Sequence, residues 1–298
     1  MYHYWAYGML IASEMEVPEM LPFRGASIDL HIRLGKAPAT IPDTPLKVIG
    51  SMQMSATHYR LELPICTYYV REGKEIIIDI KPHADDKSLR LFLLANAMAA
   101  ALHQRQQVAL HAGAIVTQQG LIVVAGHSGA GKSTTISALR QKGYAAFADD
   151  VVIVSQNGDN IMGTASYPIV KLWEDSFEKL QLGERNEEKR IREHIPKYIN
   201  SFHQEFSKES LPIRKIFFID KQPGNHPPSA ESLSGVQAFS YLKEGLYQTS
   251  QANTPAYAQH LFQLLAVIAE SVPLTLIKRG DAVNSIEEIT QLITESNH

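Results

Sequence analysis

The chain has a single cysteine, Cys66, in 298 residues. That excludes an internal disulfide and every metal site built from several thiolates, and leaves a small buried hydrophobe as the role for Cys66. There is no cationic excess either. Lys and Arg number 28 against 31 Asp and Glu, a formal net charge of −3, so nothing electrostatic argues for nucleic acid as a partner. Long apolar runs are missing: the best candidate for a membrane span, Leu91 to Leu102, is too short and carries Asn96. The opening Met1-Tyr-His-Tyr-Trp5 lacks the basic start and apolar stretch of a secretory signal. The expectation is a cytoplasmic protein with no membrane and no nucleic acid as partners. At this length one large or two unequal domains are expected, and 45% hydrophobic against 20% charged residues provides for a sizeable core. No internal repeat and no low-complexity tail is visible.

What is present is Leu121-Ile-Val-Val-Ala-Gly-His-Ser-Gly-Ala-Gly-Lys-Ser-Thr134, which holds G-x-x-x-x-G-K-S from Gly126 to Ser133. An apolar run precedes it and a helical pattern follows. A phosphate-binding loop needs that setting: glycines let backbone N–H groups turn inward, and a helix N-terminus adds partial positive charge. Gly126, Ser128, Gly129, Ala130, Gly131, Lys132, Ser133 and Thr134 are therefore the expected ATP-binding residues. Lys132 is expected to reach the β- and γ-phosphates, and the Ser133 hydroxyl to ligate Mg²⁺. A glycine-rich turn that binds nothing is the bland alternative.

Two neighbours of the loop bear on chemistry. Downstream, Ser133 to Lys142 reads as a helix stopped by Gly143, and Tyr144 to Ala148 as a strand ending in Asp149-Asp150. Ligands of open α/β sheets sit at the carboxyl ends of strands, which places this acidic pair beside the phosphates. One carboxylate there can hold Mg²⁺ while the other accepts a proton from an attacking hydroxyl. Upstream, His111 to Thr117 and Leu121 to Ala125 read as a hairpin around Gln118-Gln-Gly120. With Thr117 opposite Leu121, His111 faces His127 at the mouth of the loop.

Leu110-His-Ala-Gly-Ala-Ile-Val116, the Gly-His-Ser-Gly-Ala-Gly-Lys-Ser-Thr loop and Ala148-Asp-Asp-Val-Val152 together resemble the catalytic core of the HPr kinase/phosphorylase family, whose fold is shared with phosphoenolpyruvate carboxykinase. The resemblance covers about Val108 to Val154. It implies an ATP- and Mg²⁺-dependent serine kinase in which Asp149 is the base, His111 supports it, and Ser133 and Asp150 serve the metal. The E-I-R-G-L-G-I type segment tied to the reverse, phosphorolytic reaction has no counterpart and the front of the chain differs, which argues against both HPr as substrate and phosphorylase activity. The layout is more similar to the HPr-kinase-like proteins of lasso-peptide biosynthesis, through Leu10-Ile-Ala-Ser-Glu14, Tyr167-Pro-Ile-Val-Lys-Leu-Trp173 and Lys197-Tyr198. The implied partner is a peptide or small protein bearing an acceptor serine near its C-terminus. Homo-oligomerisation is left open. Alternatives are an HPr(Ser) kinase-type metabolic regulator and a regulatory module that binds ATP without transferring it.

The remaining chain supplies the frame. Ile28 to Leu34, Tyr59 to Leu63, and Tyr68 to Ile80 around a turn at Glu72-Gly-Lys74 alternate as half-buried strands, separated by a proline-rich loop at Lys36 to Pro45. Residues 1–84 read as a small β-rich module, either shielding the core or recognising a peptide, and 85–298 as the P-loop kinase domain. Asp86 to Arg105 reads as an interior helix. Lys171 is a candidate phosphate or substrate contact. Glu184 to Glu193, dense in both signs, reads as a solvated helix or as a lid lending Arg190 or Arg192. Ile213 to Ile219 reads as a strand ended by Asp220, Thr254 as the cap of a helix to Ser271, Leu274 to Ile277 as a last strand, and Ser285-Ile-Glu-Glu288 as a capping box. Leu233-Ser-Gly-Val-Gln237 imitates an ABC ATPase signature, but no strand ending in Asp-Glu follows. No N-K-x-D guanine-reading motif is present. The fold expected is α/β, a P-loop core with a mixed sheet like the C-terminal domain of HPr kinase, plus the N-terminal β module.

Overall fold

The alternating pattern of the first eighty residues is realised as one nine-stranded sheet in the computed structural model. The structure describes the chain except residues 26, 184, 185, 193, 249–253, 283 and 296–298, and for 255 and 256 only the backbone. The strands are β1 (Tyr2–Ala6), β2 (Met9–Ser13), β3 (Leu21–Pro22), β4 (Leu30–Leu34), β5 (Lys47–Ile49), β6 (Met52–Met54), β7 (His58–Glu62), β8 (Cys66–Arg71) and β9 (Glu75–Ile80). Their order is β3-β1-β2-β4-β9-β8-β7-β6-β5. Along β9, Ile76 and Ile78 are buried while Glu75, Ile77 and Asp79 are partly open, the period-two mark of a sheet with one covered face. Cys66 is fully buried in β8.

The helix expected after this sheet forms as α1 (Asp86–Phe92), a π-helical turn over Leu93–Ala97, and α2 (Met98–Gln104). Asp85 caps it, accepting from the Ser88 N–H at 2.8 Å. A π turn disturbs the regular carbonyl ladder, and tyrosine hydroxyls meet two carbonyls there: Tyr7 donates to Leu94 O and Tyr247 to Ala95 O, each at 3.0 Å. Tyr68 likewise donates to Leu89 O. These bonds attach the helix to the sheet. The first unit accordingly comprises Met1–Val108 with Tyr247–Gln263, and the second Ala109–Leu246 with Leu264–His298. The division differs from a break at residue 84, because the helix belongs with the strands that precede it.

After β10 (Val108–Leu110) come β11 (Ala112–Thr117), β12 (Gly120–Gly126), α3 (Lys132–Gln141), β13 (Ala145–Ala148), β14 (Val152–Asn157), β15 (Asn160–Ala165), β16 (Ile169–Trp173) and α4 (Glu174–Leu180). They are followed by β17 (Arg190–Arg192), β18 (Ile195–Ser201), β19 (Leu211–Gln222), β20 (Ser229–Leu233), α5 (Gly235–Glu244), α6 (Pro255–Ser271), β21 (Leu274–Gly280) and α7 (Ile286–Glu295). The central sheet runs β20-β21-β19-β12-β11-β13, with the β14–β15 hairpin joining β19 near its start. β12, β19 and β21 are mutually parallel, and β11 is antiparallel to both β12 and β13. Hence the ends of β12, β13, β19 and β21 and the start of β11 share one edge of the sheet. Beneath it Ile122, Val124, Phe217, Ile219 and Ile277 pack with Ile136 and Leu139 of α3 and Ile289 and Ile293 of α7. Each such side chain contributes about 1.5–3 kcal/mol of burial. This is an α/β fold with a mixed sheet.

Four local expectations differ from the structure. Thr117 lies opposite Gly120, not Leu121. The Thr117 hydroxyl donates to Gly120 O at 2.8 Å, which tightens the turn to Gln118-Gln119 and moves the register by one. The charged segment near 190 is not a helix: a short 3₁₀ turn at Glu187–Lys189 leads into β17, which pairs with β18. Glu184, Arg185 and Glu193 lie outside the described residues. β19 does not stop at Asp220 but continues to Gln222, because β21 pairs with it to its end. The Ser285 hydroxyl is buried without a hydrogen-bond partner, so α7 starts without the expected capping box. Thr254 does cap α6, its hydroxyl accepting from the Tyr257 N–H at 3.1 Å.

Candidate active site

The glycine loop has the conformation its sequence calls for. Gly126, Gly129 and Gly131 have φ of 145°, 81° and 113°, values an L side chain rarely adopts. At Gly126 a Cβ would also lie 2.5 Å from Ile219 O. Lys132, 6% exposed, opens α3 and folds back, its ammonium donating to Gly126 O at 2.7 Å and His127 O at 3.2 Å. Burial pushes that ammonium down to about 8, against the pull of Asp150 and Asp149. The Thr135 hydroxyl donates to Gly131 O at 3.0 Å, and Thr134 pairs with Ser176 of α4 at 2.9 Å. Loop and helix are thus braced from both sides.

A cleft of about 520 Å³ opens over the loop, lined by Ser128 to Thr135, His111, Asp150, Trp173, Lys197, Lys221, Arg279 and Asp281 among others. That size suits a small-molecule ligand. The shared sheet edge brings these residues together: Asp149-Asp150 follow β13, and His111 precedes the antiparallel β11.

The acidic pair is held by one lysine. The backbone N–H of Lys171 donates to Asp149 Oδ2 at 2.9 Å, while its ammonium lies 2.6 Å from Asp150 Oδ2 and 2.9 Å from the Tyr167 hydroxyl. His111 Nδ1 is 2.9 Å from Asp150 O and 3.8 Å from Asp150 Oδ1. The two carboxyls differ in their surroundings. Asp149 is 1% exposed, and burial, then the Asp150 charge, raises it above the usual carboxylate range. Its Oδ1 has no hydrogen-bond partner, and the Ser133 hydroxyl acts on the same carboxyl to favour its ionised form. Burial would raise Asp150 too, but Lys171, Lys197 and His111 outweigh it and hold that carboxyl well below the usual range. Asp150 keeps 22% of its side chain open and lines the cleft. His111 is lowered by burial and by Lys132, against Asp150.

His127, expected opposite His111, points elsewhere: its ring lies 3.8 Å from Glu244. Arg190 is engaged with Glu187 and the Tyr198 hydroxyl, and neither it nor Arg192 lines the cleft.

Sequence reasoning missed Arg279, Lys221 and the full role of Lys197. Arg279 closes β21 and donates from Nε to Ala130 O at 3.0 Å, and its position at a strand's carboxyl end was the available signal. Lys197 lies directly opposite Trp173 in the β16–β18 ladder, with its ammonium 5.5 Å from the indole centre.

Among the described residues no three His, Cys, Asp or Glu side chains gather as a metal cage. Ser133 with the orphaned Asp149 Oδ1 instead fits Mg²⁺ shared with phosphate, which takes one or two carboxylates and leaves the rest to substrate. Among the described residues no helix is long and apolar enough to cross a membrane.

No family model and no curated protein matches the chain. Among solved structures it is similar to the HPr(Ser) kinase/phosphatase from Coxiella burnetii, at 12% identity and a TM-score of 0.34, over 63% of this chain and 90% of that one.

Proposed function

We propose that the protein transfers the γ-phosphoryl group of ATP to a hydroxyl of a peptide or small protein. The observation that carries this is the acidic pair that follows β13, with an orphaned oxygen on Asp149, the carboxyl on which Ser133 acts, and the Asp150 carboxyl open to the cleft. A module that merely bound nucleotide would have no use for the second.

Ser133 and Asp149 would hold Mg²⁺, which when bound neutralises charge on the β- and γ-phosphates. The loop N–H groups and Lys132 hold the phosphates. Asp150 receives the proton of the acceptor hydroxyl, and His111 and Lys171 fix its carboxyl. The acceptor oxygen forms a bond to the γ-phosphorus, and the bond to the bridging oxygen breaks, leaving ADP. The roles of Asp149 and Asp150 are thereby exchanged relative to the sequence expectation, and what supports the exchange is that Asp150 lines the cleft while Asp149 is buried. The finer reading is that the acceptor is a serine near the end of a lasso-type precursor. It is supported by Tyr167 to Trp173 and Lys197-Tyr198, whose members Trp173 and Lys197 line the cleft.

Incubation with γ-labelled ATP and candidate precursor peptides tests the reading. Label is expected on a serine. Asp150→Asn is expected to keep Mg²⁺-dependent nucleotide binding and lose transfer, and Asp149→Asn to lose the Mg²⁺ dependence itself. Binding of ATP with no acceptor ever labelled would favour a regulatory module.

A further inference from the structure

We propose that Lys197 contacts the terminal phosphoryl group of a bound nucleoside triphosphate, with Trp173 as the post that positions it. The inference rests on the nucleotide-binding part of the proposed function and adds a residue to it.

The cross-strand register sets Lys197 opposite Trp173, and a cation over an indole face is attracted by the ring quadrupole. The ring is 41% exposed and lines the cleft, so the ammonium it carries is presented to the cleft. Among the described residues Lys197 has no ion-pair partner, unlike Lys171 with Asp150 and Lys179 with Asp175. It lines the same cleft as Lys132, His111 and Asp150, and its charge acts on those groups and on Asp149. A cation with no direct ion pair, in a cleft shared with Lys132, gains from an arriving anion. In the proposed function the third phosphate is the one that meets the acidic pair. Lys132 is expected to reach both the β- and γ-phosphates, so Lys197 is the residue proposed to distinguish a triphosphate from a diphosphate. The ammonium donates hydrogen bonds to phosphoryl oxygens.

Calorimetric binding of ADP and of the imido-bridged, non-hydrolysable ATP analogue to the full chain, both with Mg²⁺, tests this without any acceptor. Lys197→Met is expected to weaken the triphosphate analogue about tenfold and ADP less than twofold, whereas Lys132→Met weakens both. Trp173→Ala should reproduce part of the selective loss and Trp173→Phe should retain binding, an ordering that a general loosening of the β16–β18 ladder would not give. Lys197→Gln serves as a second variant if the methionine protein is poorly folded. Equal losses for both nucleotides, or none, overturn the role of Lys197 while leaving the kinase reading intact. A wild-type protein that binds neither nucleotide overturns both.

Discussion

The ammonium of Lys171 lies 2.6 Å from Oδ2 of Asp150. The same residue's backbone N–H holds Asp149, so one residue of β16 fixes both carboxyls. Lys171→Met would leave the Asp150 carboxylate partly buried without its cation. Loss of one partner of such a pair costs on the order of 3 kcal/mol. Urea denaturation is expected to show that loss, and Lys171→Met combined with Asp150→Asn to recover part of it. Additive losses in the double variant would mean the two residues are not coupled.

Gly113 in β11 has no room for a side chain. A Cβ there would lie 2.6 Å from Ile136 Cγ1 and 3.2 Å from Asp149 O. Gly113→Ala therefore has to push α3 or the β13 end away, at about 1–3 kcal/mol for overpacking. The expected outcome is a lower melting temperature, with weakened nucleotide binding in the protein that remains folded. An unchanged melt would show that Ile136 has space to move.

Arg279 bridges the end of β21 to Ala130 O in the glycine loop. Removing one net hydrogen bond costs about 1 kcal/mol, so Arg279→Met is expected to weaken nucleotide binding roughly fivefold through a looser loop. Arg279→Lys should not restore it, since a lysine has no planar Nε donor at that position. Restoration by lysine would assign the effect to charge alone.

Much of this site is local in sequence and was legible for that reason. Gly126 to Thr134 encodes its own turn and helix start, and the strands on either side deliver His111 and Asp149-Asp150 within forty residues. What was not legible depends on distant pairing. Arg279 reaches the loop only because β19 and β21 are parallel to β12, an order no local pattern states. The segment near Arg190 shows the opposite failure: its charges suit a helix by i,i+4 spacing, yet pairing with β18 overrides that preference, as tertiary context commonly does. Likewise the helix after residue 85 looks like an approach to the glycine loop, and the Tyr7, Tyr68 and Tyr247 hydroxyls show which unit it belongs to.

Lys132 carries a testable pH dependence. Its ammonium is lowered from 10.5 to about 8, chiefly by burial, and only the protonated form attracts phosphate. Metal-free ADP affinity is therefore expected to hold below about pH 8 and to decline as pH rises through that value, with proton uptake on binding near pH 8 because the phosphates raise the lysine's affinity for its proton. The linkage to stability has the opposite sign from a lysine that gains a partner. The folded-state value lies below the unfolded one, so the buried charge costs stability at neutral pH. That cost is relieved between about pH 8 and 10.5, by up to roughly 3 kcal/mol. Wild-type stability relative to Lys132→Met should rise across that window, as read by denaturant midpoints at matched ionic strength. A flat difference, or an ADP affinity that ignores pH in the wild type, would show that the ammonium keeps its ordinary value despite its burial.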